Sequence, residues 1–251
     1  MGQPMDIKTL VEELKRQGRA LMLPGMTDRS KLGVDEQGLA ALLEMAYRKQ
    51  VAMRRVTYVP NTLTSDAIMK LAHFLTDNHD NRFMIVLDGS TATGKTTLMN
   101  AMRQTLWWLL ENRLVSDDVS LKICDATAIP GLRDSTREWY NLMNWPSYLG
   151  IEDLGCEPAE ILRWGNPLYP VRELITERYK LRLPMVVSTN LDSDQLREHL
   201  GLRIVSRMNE MAYYIHFENE DFRKMAWYSH HPEVKSEERI VKNESNHISI
   251  Q

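Results

Sequence analysis

The sequence predicts an α/β fold, a three-layer sandwich around a mostly parallel five-stranded sheet, and three observations point to it. Strand-like and helix-like patterns alternate from Phe83 to Phe217. The first strand-like run, Phe83 to Leu87, is apolar without a break, as expected of a strand covered on both faces. That run feeds Gly89-Ser90-Thr91-Ala92-Thr93-Gly94-Lys95-Thr96, a loop with a glycine at its start and near its end that opens onto a helical pattern.

Before the sheet, the spacing predicts a small helical region. Ile7, Leu10, Val11 and Leu14 recur at helical spacing up to about Leu21, and Leu23-Pro24-Gly25 then breaks the chain. A second helix is predicted from Glu36 to Arg54, with Leu39, Leu42, Leu43, Ala46 and Val51 on one side. A third is expected to be capped by Ser65 and to run through Leu75, before the polar turn of residues 76–81. Beyond the loop, helices are predicted over Thr96–Leu110, Gly131–Met143, Val171–Leu181 and Asp192–Leu200. Strands are predicted over Val119–Cys124, Tyr148–Ile151, Pro184–Ser188 and Tyr213–Phe217. The polar stretch after Ser229 has too few apolar residues to build a core. These signals divide the chain into a helical region (1–80), the α/β domain (81–228) and a tail expected to be disordered (229–251).

The loop matches G-x-x-x-x-G-K-[ST] without a gap, in the strand-loop-helix setting that the motif needs. Its successive backbone N–H groups can face phosphate oxygens, and the helix opening at Lys95 adds its positive end. Lys95 supplies a cation to the β- and γ-phosphates, and the Thr96 hydroxyl is a ligand for Mg²⁺. Thr97 is counted with this binding segment. No guanine-reading N-K-x-D segment occurs, which favours ATP over GTP. Ala92 stands where a glycine is common, a harmless change if its φ is negative.

Tyr148-Leu149-Gly150-Ile151 is followed by Glu152-Asp153. Two acids at the carboxyl end of a strand lie beside a phosphate loop in such a sheet. One can hold Mg²⁺ and the other can orient or activate water. The plainer reading is a pair of exposed acids in the turn before Gly155; the preceding phosphate loop tips the balance toward function.

From Arg82 to about Phe222 the chain resembles the DnaC/IstB-like branch of AAA+ ATPases. The ordered features are the phosphate loop, the acidic pair, Glu177-Arg178-Tyr179, Ser188-Thr189-Asn190 and Gly201 to Met208. The resemblance implies that Asn190 is the polar sensor of the γ-phosphate. It implies that Arg207 is an arginine finger for a neighbouring subunit, with Arg203 as the other candidate. It also implies ATP and Mg²⁺ as cofactors and self-association in the ATP state. The implied partners are single-stranded DNA and either a replicative helicase or a transposase, contacted through residues 1–80. Glu152 stands where the family places Asp, and Asp153 where Glu is frequent, so slow hydrolysis is expected. Ser206 replaces the family's Asp.

Taken singly, several of these residues have duller readings. Asn190 could end a strand or cap a helix, and Arg203 and Arg207 could be solvated arginines one turn apart. Arg48, Lys49, Arg54 and Arg55 could complement a helix dipole. Trp107, Trp108, Trp139 and Trp145 are expected to pack rather than stack on bases. His230-His231 lacks spaced partners for zinc, and Cys156 beside the acids reads as incidental, with a reactive thiol as the alternative.

A net charge of −3 over 251 residues announces no global attraction to nucleic acid. No apolar run is long enough to span a membrane, and the N-terminus lacks the regions of a signal peptide. With only two cysteines, a cytoplasmic protein is expected. Two other functions compete with a DNA-machine ATPase: a nucleotide-gated adaptor that barely hydrolyses ATP, and a small-molecule kinase on the same scaffold.

Overall fold

The computed structural model describes residues 32–77, 79–115, 119–219 and 221–222. The helix expected near residues 7–21, the tail from 229 and His230-His231 lie outside them. In chain order the elements are α1 (Glu36–Met53), α2 (Thr62–Thr76), β1 (Met84–Gly89), α3 (Lys95–Glu111) and β2 (Leu121–Asp125). A 3-10 turn (Ala126–Ala128) leads to α4 (Ile129–Leu132), α5 (Thr136–Met143) and β3 (Tyr148–Leu154). Then follow β4 (Ile161–Arg163), β5 (Asn166–Leu168), α6 (Pro170–Leu181), β6 (Met185–Thr189), α7 (Ser193–Leu200), α8 (Leu202–Met211) and β7 (Ala212–Phe217).

The main sheet has the order β2-β3-β6-β1-β7, and every pairing in it is parallel. β1 explains the unbroken apolar run. Ile85 and Leu87 enter the core shared with α1, α2 and α3, while Met84 and Val86 enter the core shared with α5, α6, α7 and α8. Helices therefore cover both faces, giving the three expected layers. Parallel crossovers need such covering, because a strand of this kind has no polar face to offer water.

α1 and α2 share one core with the sheet. Leu39, Leu43, Leu71, Phe74 and Leu75 are almost completely buried in it. Each such side chain contributes about 1.5–3 kcal/mol, against about 1 kcal/mol for a helix cap. Burial therefore dominates the attachment of this helical pair. The caps fix where the helices start: Asp35 Oδ1 accepts from Gly38 N–H, and Asn61 Oδ1 from Thr64 N–H at 2.7 Å. Asn61, rather than Ser65, caps α2, so the helix begins one turn earlier than expected.

The stretch 131–143 is two helices. Ser135 is extended and accepts from Glu138 N–H, so it starts a new helix where a continuous one was expected. The short antiparallel hairpin β4–β5 was not anticipated. Its turn carries Trp164 and Gly165 at φ 51° and 78°, and Trp164 is 93% exposed.

Arg178 is fully buried, and its guanidinium donates to the carbonyls of Leu142, Met143, Trp145, Ser147 and Pro184. Burial depresses its pKa to about 9. Ser147 and Pro184 precede β3 and β6, so this one side chain pins the amino ends of both strands. Their carboxyl ends carry Glu152-Asp153 and Asn190. None of the described helices is long and apolar enough to cross a membrane.

Candidate nucleotide site

The loop after β1 is shaped by close approach. A Cβ on Gly89 (φ 132°) would lie 2.4 Å from the Phe217 carbonyl oxygen, and one on Gly94 (φ 109°) would lie 2.4 Å from the Tyr47 hydroxyl. Ala92 sits at φ 61°, a left-handed conformation. The substitution is therefore not the harmless one expected at negative φ, and strain of about 1 kcal/mol or more must be held by its neighbours. Phe222 N–H donates to the Ala92 carbonyl at 3.1 Å.

Lys95 is buried, and its ammonium donates to the carbonyls of Gly89 (2.8 Å) and Ser90 (2.6 Å). Burial lowers its pKa, opposed by the carboxylates of Asp153 and Asp88. The side chain is thus already curled over the loop, where a phosphate would lie. Ser90 and Thr91 are exposed, Thr96 is half-buried, and Thr93 and Thr97 are buried. Thr93 Oγ1 donates to the Ser90 carbonyl, so its hydroxyl is spent on the loop itself.

β3 extends through the acids to Leu154, further than the sequence pattern suggested. Leu149 and Ile151 face the α5–α8 side, whereas Tyr148 belongs to the α1–α3 core and Gly150 packs against Met99 of α3. Alternation places Glu152 on the same side as α3, the helix that carries Thr96. Asp125 is its partner on β2. A register break between Ile151 and Leu154 puts Asp153 at φ 55°, and its N–H donates to Ser188 Oγ at 3.0 Å. A bulge of this kind re-aims the second of two consecutive side chains.

Asn190 is exposed just beyond β6, the strand between β1 and β3. Asp192, not Asn190, caps α7, accepting from Asp194 and Gln195. The capping explanation for Asn190 is thereby removed. Thr189 Oγ1 donates to the Leu154 carbonyl, and the buried Glu157 accepts from Gly155 N–H and pairs with His199 at 2.8 Å. These contacts lock the acidic turn to the segment that carries Asn190.

Two side chains singled out in the sequence have defined surroundings. Burial and the carboxylates of Asp153, Glu157 and Asp125 push the Cys156 thiol up, the opposite of what a reactive thiol needs. Arg207 is engaged within its own chain: Nη1 donates to Thr176 Oγ1 at 3.2 Å, and the guanidinium lies 5.2 Å from the Tyr179 ring centroid. Arg203, one turn earlier on α8, is exposed. Arg48 pairs with Glu44, and Lys49 lies over Trp108, so half of that basic cluster is spent locally.

Sequence reasoning missed Asp88. It immediately precedes the loop, pairs with His216 at 3.0 Å, and keeps one buried carboxylate oxygen without a hydrogen-bond partner among the described residues. Its position between an apolar run and a glycine was the available signal.

A parallel sheet presents a phosphate loop at the end of β1, with two acids on β3 and a polar strand end between them. The fold is that of a P-loop NTPase. No family model matches the chain, and no curated protein matches it. Among solved structures it is similar to the DnaC helicase loader, at 23% identity over 64% of this chain and 93% of that one, with a TM-score of 0.48. It is similar to DnaI, at 22% identity over 66% and 87%, with a TM-score of 0.48. A putative primosome component from Streptococcus pyogenes serotype M3 gives 20% identity over 64% and 83%, also with a TM-score of 0.48.

The donor set fits Mg²⁺ bound together with a nucleotide. Thr96 and Glu152 would supply hard oxygen ligands, and this ion takes few protein ligands beside phosphates and water. Accordingly, no described cluster of three His, Cys, Asp or Glu residues could hold a metal by itself.

Gly94 offers a direct test of the loop's packing against α1. Gly94→Ala is expected to cost about 2–4 kcal/mol, through positive-φ strain and collision with Tyr47. Adding Tyr47→Phe should recover part of that cost, read as a coupling energy in urea unfolding. Strict additivity of the two changes would show that Tyr47 does not press on the loop.

Proposed function

We propose that this chain is an AAA+ ATPase of the DnaC/IstB-like branch, acting on DNA-bound machinery as a loader of a replicative helicase. ATP with Mg²⁺ is held by residues 89–97, Thr96 and Glu152. The observation that supports the reading is that the G-x-x-x-x-G-K-[ST] loop follows β1 and the Glu152-Asp153 pair lies at the carboxyl end of β3, two strands of one parallel sheet. Thr96 and Glu152 would hold Mg²⁺, which would supply positive charge to the phosphates. Asp153 accepts the proton of the attacking water, and Asn190 hydrogen-bonds the γ-phosphate or that water. Assistance to a transposase is the alternative within the same branch. Residues 1–80 are assigned the partner contact, and single-stranded DNA is the polymer on which the protein assembles. The domain limits at residues 81 and 228 are proposed with it.

The test is light scattering with size exclusion, with and without ATP and single-stranded DNA, alongside steady-state turnover. Growth in mass that requires ATP, with DNA-stimulated turnover, supports the reading. A chain that binds no nucleotide overturns it. One observation favours a nucleotide-gated adaptor as a second reading: the shorter acid, Asp153, sits in a bulge at positive φ. Tight ATP binding with negligible turnover would select that reading.

Arg207 is assigned as the finger in trans, leaving Thr176 and Tyr179 when subunits meet. Arg207→Ala should bind ATP nearly normally and lose about a thousandfold in turnover under assembling conditions. Mixing it with Lys95→Ala should restore part of the activity, because one partner keeps an intact site and the other an intact finger. Full activity of Arg207→Ala alone, with loss in Arg203→Ala, would transfer the role to Arg203.

A further inference from the structure

The segment after β7 closes onto the phosphate loop. Asn219 is 6% exposed, and its side-chain amide donates to the Thr93 carbonyl at 3.1 Å and to Thr64 Oγ1 at 3.2 Å. Three residues later, Phe222 N–H holds the Ala92 carbonyl. Two successive loop carbonyls are therefore fixed by one segment more than 120 residues away in sequence.

In a planar trans peptide the carbonyl and the following N–H point in opposite directions. Fixing the Ala92 carbonyl therefore fixes the Thr93 N–H on the opposite side, and fixing the Thr93 carbonyl fixes the Gly94 N–H. Those N–H groups belong to the set that a phosphate loop presents to an anion. The network also returns to the loop. Thr64, on α2, lies beside the Tyr47 side chain, and Tyr47, on α1, places its hydroxyl where a Cβ on Gly94 would meet it at 2.4 Å. Thr64 is 1% exposed and Tyr47 2%. A buried chain of donors and acceptors is rigid when its members are paired.

We infer that Asn219 is a positioning residue for the nucleotide: it orients the 93–94 peptide toward the phosphates and ties that orientation to α1 and α2 through Thr64. The inference rests on the phosphate-loop reading above. A partner that shifts Thr64 would thereby change nucleotide affinity, and bound nucleotide would change partner affinity by the same factor.

Calorimetric titration of the full chain with Mg²⁺-ATP gives both the dissociation constant and the binding-competent fraction, and a thermal scan without nucleotide gives stability. Asn219→Ala should raise the dissociation constant about tenfold while the stoichiometry stays near that of the wild type. Thr64→Val keeps the shape of the site and removes only the hydroxyl. It should raise the constant about threefold, and it serves if Asn219→Ala does not fold. A merely structural residue would behave differently, lowering the melting point or the stoichiometry with the dissociation constant unchanged, and that result would overturn the inference. If the wild type itself bound no Mg²⁺-ATP, like Lys95→Ala, the phosphate-loop reading would fall first and this inference with it.

Discussion

Replacing Lys95 by alanine is expected to abolish measurable ATP binding while leaving the protein folded. The ammonium donates to the Gly89 and Ser90 carbonyls and is buried, so it is already stripped of much of its water. Burial lowers its pKa by disfavouring the charged form. On the proposed reading the β- and γ-phosphates would pair with that charge. A charge-assisted contact of this kind, lost from a desolvated site, costs roughly 3 kcal/mol or more, which is about two orders of magnitude in affinity. The fold should survive because Ser90 is exposed and water can satisfy the loop carbonyls once the ammonium is gone. Calorimetric titration of the folded variant decides the matter. Unchanged affinity would remove Lys95 from the site.

The phosphate loop was legible in the sequence because its chemistry is local. Eight consecutive residues carry the glycines, the lysine and the hydroxyl, and strand and helix follow from the patterns on either side. The buried strands were legible for a related reason: a strand with a core on each face must be apolar at every position, as Met84 to Leu87 are. Glu152-Asp153 could be read as a pair but not placed, since the bulge that separates their directions depends on pairing with β6. The same limit hid the φ of Ala92, which is set by Phe222, 130 residues later.

What could not be read was mostly long-range pairing of polar groups. Arg178 sits in a helix end that reads as polar surface, yet it spans five carbonyls in the core. Glu157 and His199 are 42 residues apart and meet only because the acidic turn and α7 are adjacent. The β4–β5 hairpin escaped because its strands are three residues long and its turn uses Trp164 at a position where glycine or asparagine is the usual signal. The break between α4 and α5 turns on one capping serine within a segment whose composition is otherwise helical.

Asp153→Asn should retain ATP binding and lose turnover by about two to three orders of magnitude, the usual contribution of a positioned general base. The substitution suits the site unusually well. Asparagine tolerates positive φ better than most residues, so the backbone at φ 55° is undisturbed. The N–H that donates to Ser188 is also unaffected. What changes is the charge and the capacity to accept a proton. Glu152→Gln should behave differently. Glu152 lies on the α3 side of β3 with Thr96, so losing its charge should weaken the dependence of ATP binding on Mg²⁺ before it affects the chemistry. Titrating ATP at several Mg²⁺ concentrations and measuring single-turnover hydrolysis for both variants separates the two roles. If Asp153→Asn lost its Mg²⁺ response while Glu152→Gln lost only turnover, the two acids would have exchanged roles, and the strand alternation through Gly150 would not extend to Glu152.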